Sequence, residues 1–363
     1  MTQARYINGK FTAQATTGVQ RVASRLVQAL DQLAPALSTR WVLLCPPGSA
    51  VPLLRHIECR VIGRPGEALH LWEQWRLPHA ARDGSLLNLA GSAPWRVADS
   101  VCLIHDAAVF DHPEAYAHAF RTWYRLLFRH LARRSAHLMT VSMFSQERLS
   151  RALGVAPQRI SVVRSGADHL NEVVPDASVL TDHGLQRGRY FLAVGSANPT
   201  KNLHRLVSAF MALPASADPM KLVIVGGRNT RVFAGATSVA EATGVVRTGP
   251  LGDARLKALY QDARALIFPS IYEGFGMPPL EAMACGCPVL AARAASIPEV
   301  CGSAALYFDP RSTAAMTQAL SRACEDAVLL QRLRQDGAAH VASFTWAASV
   351  RRLCAVLGEG ASA

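Results

Sequence analysis

The 363-residue chain predicts an α/β protein built from two doubly wound parallel-sheet domains. Short apolar runs alternate with longer stretches of helical period, the pattern of successive strand and helix units. The length exceeds what one hydrophobic core usually serves, so two domains are expected, each large enough for its own core. Between residues 171 and 189 the apolar period lapses into Pro175, aspartates, Gly184 and Gly188, and the linker is placed there. Residues 1–180 are thus read as a first domain and 181–343 as a second, with 344–363 as a terminal segment of helical pattern.

In the first block, strands are predicted at Arg5 to Asn8, Arg40 to Cys45, Cys59 to Ile62, Leu86 to Leu89, Val101 to Ile104, Leu138 to Val141 and Ile160 to Val163. Helices are expected to start near Gly18, Tyr116 and Phe144. The second block offers Tyr190 to Val194, Lys221 to Val225, Val245 to Arg247, Ala265 to Phe268, Pro288 to Leu290 and Ala305 to Phe308. Each is a short run bounded by breakers, as buried parallel strands are. Function in such sheets gathers at the carboxyl ends of the strands.

The most informative stretch follows the run Ala265-Leu-Ile-Phe268. It sets Glu273 and Glu281 on either side of a turn, Gly274-Phe275-Gly276-Met277, that opens a helix at Pro278 and Pro279. Glycines let a backbone pass close to a ligand with its N–H groups turned outward. Prolines suit a helix's first turn, where their missing N–H costs nothing. The partial positive charge of that helix end favours a diphosphate. Glu281, about one turn inside, can accept hydrogen bonds from a vicinal diol such as ribose, and Glu273 lies nearer the sugar. Phe268, Leu280, Ala282 and Met283 are core residues with no assigned chemistry.

The frame Glu-x7-Glu with its internal Gly-Phe-Gly, followed by Ala282-Met-Ala-Cys-Gly-x-Pro-Val289, resembles the retaining glycosyltransferases of the family-4 type. Val194-Gly-Ser-Ala-Asn-Pro-Thr-Lys-Asn202, Val225-Gly-Gly227, Thr248-Gly-Pro-Leu-Gly-Asp253 and Ser296-Ile-Pro-Glu-Val300 fall in the family's order. The first half is matched more thinly, by Thr17-Gly-Val-Gln-Arg21, Ile104-His-Asp106, Val141-Ser-x-Phe-Ser145 and Val162-Val-Arg-Ser-Gly-Ala-Asp168. The resemblance implies the GT-B fold, two Rossmann-like domains facing a central cleft, with the terminal helix crossing back to the first domain. It implies transfer of a hexose, with retention, from a nucleotide diphosphate sugar to a glycan or polyprenyl-diphosphate-linked acceptor in bacterial surface polysaccharide synthesis, as in mannosyl- and rhamnosyl-type enzymes. GDP-mannose is the favoured donor, with dTDP-rhamnose or a UDP-sugar as alternatives. Neither a cofactor nor a metal is expected. An epimerase or a non-catalytic sugar-nucleotide binder of the same fold is the nearest rival.

Lys201, at the start of the helix after the first strand of the second block, is the cation expected to meet the diphosphate as charge grows on the leaving group. Similar enzymes often place an arginine just after the residue equivalent to Gly195. Here Ser196 stands there as a neutral donor, so Arg164, Arg205 and Arg228 become candidates to supply the missing charge. His105 ends a first-domain strand beside Asp106, and the resemblance puts a histidine from this loop beside the donor sugar, in a positioning or proton-handling role. Gly18 allows close approach of a diphosphate or acceptor at the start of the first helix. Arg21, one turn on, can reach an anionic acceptor.

Lys and Arg number 38 against 26 Asp and Glu, for a net charge of +12, which favours an anionic partner such as a nucleotide, a lipid diphosphate or a membrane surface. Arg121, Arg125, Arg129 and Arg133 recur at four-residue spacing within a helix expected from Ala119 to Ala136. They form a cationic stripe read either as a contact to an anionic membrane or acceptor or as a solvated face. No recognised nucleic-acid module is present, and no Gly-x-Gly-x-x-Gly turn sits where a nicotinamide enzyme needs it. No apolar run reaches the length of a membrane span. The start of the chain does not read as a signal peptide, so a cytoplasmic protein is expected, peripheral on the inner face of the membrane if the stripe binds lipid. Cys285 and Cys287 are read as packed thiols rather than a metal or redox pair.

Overall fold

The computed structural model describes residues 4–97, 99–215, 219–227 and 242–359. It divides into two compact units. One comprises residues 1–107, 122–166 and 345–363, and the other residues 108–121 and 167–344. The division after residue 166 lies ahead of the linker read from the sequence at 171–189. The turn Asp168–Leu170 belongs with the second unit, where Lys257 Nζ donates to the carbonyls of Leu170, Asn171 and Val173 at 2.7, 3.2 and 2.8 Å.

Among the described residues the first unit carries seven strands: β1 (Arg5–Asn8), β2 (Trp41–Cys45), β3 (Glu58–Val61), β4 (Ser85–Asn88), β5 (Ser100–Leu103), β6 (His137–Thr140) and β7 (Ile160–Val162). They lie in the order β3-β2-β1-β4-β5-β6-β7, paired in parallel, with Arg5 opposite both Trp41 and Ser85. Every residue of β2, β4 and β5 is buried, as expected of strands covered on both faces. β3 is the exposed edge, and its Glu58 and Arg60 discourage pairing with another chain. The helix Gly18–Leu33 buries Val22, Ala23, Leu26, Val27 and Leu30, the one-face spacing of an amphipathic helix, and the terminal helix Trp346–Val356 packs against it.

A helical segment that sequence periodicity did not announce covers residues 69–80, with a π-helical turn at Trp72–Arg76. It delivers Glu73 to the carboxyl edge of the sheet. There Glu73 Oε2 meets Lys10 Nζ at 2.6 Å, and Oε1 accepts from Ser92 Oγ at 2.6 Å and Asn8 Nδ2 at 3.1 Å. Asn8 Nδ2 also reaches Asn88 Oδ1 at 3.0 Å, tying the ends of β1 and β4 together.

Among the described residues the second unit has six parallel strands: β8 (Tyr190–Val194), β9 (Lys221–Val225), β10 (Val245–Gly249), β11 (Ala265–Phe268), β12 (Val289–Ala292) and β13 (Leu306–Phe308). Their order is β10-β9-β8-β11-β12-β13. β8 and β11 are adjacent, with Phe191 opposite Ala265, and the winding reverses between them. In open α/β sheets ligands bind outside the carboxyl ends at that reversal. Gly226 has φ 147°, and a Cβ there would stand 2.0 Å from the Gly195 carbonyl oxygen, so only glycine lets the loops leaving β8 and β9 lie this close.

Candidate functional site

The site is built where β8 and β11 end. Beyond Val194, the Gly195 N–H donates to the Val225 carbonyl at 2.9 Å and the Ala197 N–H to the Gly227 carbonyl at 3.2 Å, so the segment holding Ser196 is held against the end of β9. Asn198 then caps a short 3-10 turn, Pro199–Lys201, its side-chain oxygen accepting from the Thr200 N–H at 3.0 Å. Lys201 therefore lies in that turn and not at the start of the following helix, Leu203–Met211. Asn202 intervenes in a left-handed conformation (φ 56°), its Nδ2 donating to the carbonyls of Pro269 and Pro310 at 3.2 and 2.8 Å. The break turns Lys201 across Gly195, its stem lying at contact distance from the glycine's open face.

Lys201 Nζ meets Glu273 Oε1 at 2.6 Å and lies 6.0 Å from the Phe268 ring centre. The two loops are also joined through the backbone, the Ile271 N–H donating to the Thr200 carbonyl at 2.8 Å. From the far side, Ser296 Oγ lies 2.9 and 2.8 Å from the carbonyls of Glu273 and Phe275 and donates to them in a shared bond. Ser296 lies in the Ser-Ile-Pro-Glu-Val motif, yet its clamp on the glycine turn had no signal in the residue types alone. Gly276 takes φ 107° as the N-cap of the helix Met277–Ala284, with Pro278 and Pro279 in the first turn. Phe275 and Met277 are buried, so of the segment Gly274 to Met277 it is the backbone that suits a ligand.

Glu281 sits in that helix in a different environment. It is 4% exposed, accepts a hydrogen bond from the Tyr260 hydroxyl at 3.1 Å, and has His169 Nε2 at 3.3 Å from its other oxygen. Neither partner was anticipated. Arg205, a candidate for diphosphate charge, is engaged elsewhere: its Nη1 donates to Asn202 Oδ1 at 3.0 Å and to the Pro310 carbonyl at 3.3 Å. It buttresses the turn carrying Lys201. Arg164 is exposed after β7 in the first unit, and Arg228 lies outside the described residues. Cys285 and Cys287 are free thiols, each pushed up to about 12 by burial, so both are protonated and weakly nucleophilic at neutral pH.

In the first unit, His105 and Asp106 follow β5 and are half-buried. His105 Nε2 lies 3.0 Å from the Leu89 carbonyl oxygen, an acceptor only, so Nε2 carries the proton. Burial pushes this imidazole down to about 4, against the opposing pull of the Leu89 carbonyl. At neutral pH His105 is thus uncharged and presents Nδ1 as an acceptor. Gly18 starts its helix with nothing within 4 Å of where a side chain would stand. The preceding Thr17 N–H is capped by Gln20 Oε1 at 3.2 Å, and Arg21, half-buried, continues the turn.

The helix carrying the arginine stripe spans His118–Arg134. Arg121 Nη1 donates to the Pro113 carbonyl at 3.2 Å and Arg125 is half-buried, whereas Arg129 and Arg133 are exposed. The stripe is therefore not one continuous solvent-facing surface. Among the described residues no helix is long and apolar enough to cross a membrane.

Known proteins resemble this chain in sequence and in fold. The family described as glycosyl transferases group 1 matches residues 182–340, the span holding Lys201, Glu273 and Glu281. The chain is 31% identical over 263 residues to O-antigen chain mannosyltransferase B of Escherichia coli, covering 70% of this chain and 68% of the relative. This chain belongs to the group 1 glycosyltransferases. A serotype-specific mannosyltransferase WbdA of Escherichia coli is 28% identical over 274 residues, and there the match spans only 33% of the relative's length. Among solved structures, sucrose-phosphate synthase from Thermosynechococcus elongatus superposes with a TM-score of 0.75 at 18% identity, covering 99% of this chain and 98% of that one. With two parallel sheets of seven and six strands, this glycosyltransferase has the GT-B fold.

Proposed function

We propose that this glycosyltransferase moves a mannosyl residue from a nucleotide diphosphate sugar to a saccharide acceptor of a bacterial surface polysaccharide, with retention at the anomeric carbon. The names of the two Escherichia coli relatives, both mannosyltransferases and one of an O-antigen chain, support the sugar and the pathway class. The observation that carries the chemistry is the Lys201–Glu273 pair at the sheet's winding reversal.

An incoming diphosphate competes for the Lys201 ammonium, and Glu273, released from it, takes donor-sugar hydroxyls. As the glycosidic C–O bond breaks, negative charge accumulates on the departing diphosphate, where Lys201, the Ser196 hydroxyl and the N–H groups at the Gly276–Met277 helix end stabilise it. The positive charge at the leaving group is assigned to these groups rather than to a metal ion. Glu281 accepts from the ribose diol. Neutral His105 accepts from a sugar hydroxyl through Nδ1 during turnover. The transfer is front-face: the acceptor oxygen bonds the anomeric carbon on the side the leaving group vacates and its proton passes to the departing diphosphate oxygen, since no first-unit carboxylate among the described residues stands out as a covalent nucleophile. The acceptor is assigned as lipid-linked, through a polyprenyl diphosphate.

Labelled GDP-mannose, dTDP-rhamnose and UDP-sugars incubated with a membrane extract test the whole reading. Label entering the lipid fraction from GDP-mannose is expected, and no transfer from any donor contradicts it. A panel of GDP, UDP, dTDP and ADP should show one nucleotide raising Tm by mass action. Glu281→Ala should weaken nucleotide binding on the order of tenfold or more, since hydrogen bonds to charged groups are the strong ones. His105→Ala should lower kcat on the order of 10²-fold with nucleotide affinity kept, and an unchanged rate would remove His105 from the mechanism.

A further inference from the structure

Glu281 is held at both oxygens by residues from two other elements. Tyr260, on the helix Asp253–Asp262, is fully buried and donates its hydroxyl to Oε2 at 3.1 Å. His169, in the turn Asp168–Leu170, is buried and brings Nε2 to 3.3 Å from Oε1. A glutamate side chain turns freely about its last torsion, which is broad and roughly two-fold. Contacts to both oxygens from different elements fix the plane of the carboxylate. Since a carboxylate accepts along about four directions, fixing its plane also fixes where a diol must sit to be bound by it. The buried tyrosine has no acidic role: burial first and the Glu281 charge second hold its pKa well above the ordinary value, so it remains a donor at any working pH.

We infer that Tyr260 and His169 are positioning residues that aim the Glu281 carboxylate at the ribose hydroxyls of the donor nucleotide. The inference rests on the reading that Glu281 receives the ribose. It makes donor recognition depend on two side chains outside the Glu-x7-Glu frame, one before it on a neighbouring helix and one at the start of the second unit. A side chain that merely fills the core can be replaced by an isostere without consequence for ribose recognition. A side chain that aims Glu281 cannot.

The test is a coupling measurement on the full chain, with calorimetric binding of GDP and of 2′,3′-dideoxy-GDP to the wild type and to Tyr260→Phe, which keeps the ring and removes the hydroxyl. The wild type should bind the dideoxy compound on the order of tenfold more weakly than GDP. Tyr260→Phe should bind GDP severalfold more weakly than the wild type, with kcat at saturating donor nearly unchanged. Its own penalty for the dideoxy compound should shrink to about threefold or less, because a carboxylate no longer aimed has less to lose. A penalty as large in Tyr260→Phe as in the wild type overturns the positioning role while leaving Glu281 on the ribose. A wild type that does not distinguish the two nucleotides overturns the ribose reading itself, and this inference with it. His169→Gln, which keeps a donor near the Nε2 position, should retain the wild-type penalty, and His169→Leu should reduce it. That pair keeps the question decidable if Tyr260→Phe does not fold.

Discussion

Each unit carries a lysine–glutamate pair beside the carboxyl end of a central strand, and in both the nitrogen and oxygen are 2.6 Å apart. Their surroundings differ. Lys10 and Glu73 are 3% and 1% exposed, and the carboxylate is ringed by Asn8 and Ser92. Lys201 and Glu273 are 22% and 12% exposed, facing the loop where the second sheet reverses. The first pair is sealed from solvent and fixes the shape of the loop after β1. The second is partly exposed, so on the proposed reading an anion can reach it and exchange partners with it. Lysine is scarce in this chain, and all four lysines are engaged. Lys221 and Lys257 donate to backbone carbonyls, while Lys10 and Lys201 supply compact point charges that a planar guanidinium does not replace.

The largest effect expected from breaking this comparison is on the sealed pair. Glu73→Gln leaves the Lys10 ammonium buried without its counter-charge, and removing one partner of a buried pair costs about 3–5 kcal/mol. Urea unfolding should show a clear fall in midpoint. A loss below about 1 kcal/mol would mean that water reaches Lys10 and that the two pairs are not different in kind. The second effect falls on the open pair. Lys201→Ala should cost less stability than Glu73→Gln, since solvent reaches the Glu273 carboxylate it leaves behind. It should nonetheless lower kcat by about 10²–10³-fold, the usual loss on removing one group that stabilises transition-state charge. Stability and turnover thus separate the two pairs in opposite directions, and a Lys201→Ala enzyme with full turnover but a lowered melting point would reverse their assignment.

The strands were legible because each is a local apolar run with breakers at its ends: Tyr190–Val194, Lys221–Val225 and Ala265–Phe268 coincide with the predicted segments. Glu273 and Gly276 were legible as candidates because they share one dense motif, and Lys201 because it lies in another, Val194 to Asn202. What stayed hidden depends on contacts between distant residues. The helical segment at 69–80 is pinned by Glu73 to Lys10 and by the Trp72 indole N–H to the Ile62 carbonyl at 2.7 Å, neither of which shows as periodicity. Arg205 looked like a free cation near a phosphate site until Asn202 and Pro310 were seen to hold it. Tyr260 and His169 carry no motif, and only the fold brings them to Glu281. Residues 108–121, read as first-domain sequence, group with the second unit, where the Tyr272 hydroxyl donates to Asp111 at 2.8 Å.

The smallest expected effect concerns pH and belongs to the first unit. Its His105 imidazole is pushed down to about 4 by burial, whereas an unfolded chain's histidine titrates near 6.5. Between those values the unfolded state holds the extra proton and the folded state does not, so stability rises with pH through that window and falls as the solution is acidified from about 6.5 toward 4. Below 4 both states are protonated and this contribution stops changing. His70 and His137 are shifted in the same direction, each chiefly by burial, so the wild-type slope is a composite and the His105 share must be read as a difference. Urea midpoints for wild type and His105→Ala, followed from pH 7.5 to 4.5, should converge on acidification, because the variant lacks the group whose neutral form the fold requires. Midpoints that stay a constant distance apart across that range would mean that His105 titrates normally. It would then be free to work as a proton carrier near neutral pH instead of as the fixed acceptor assigned to it.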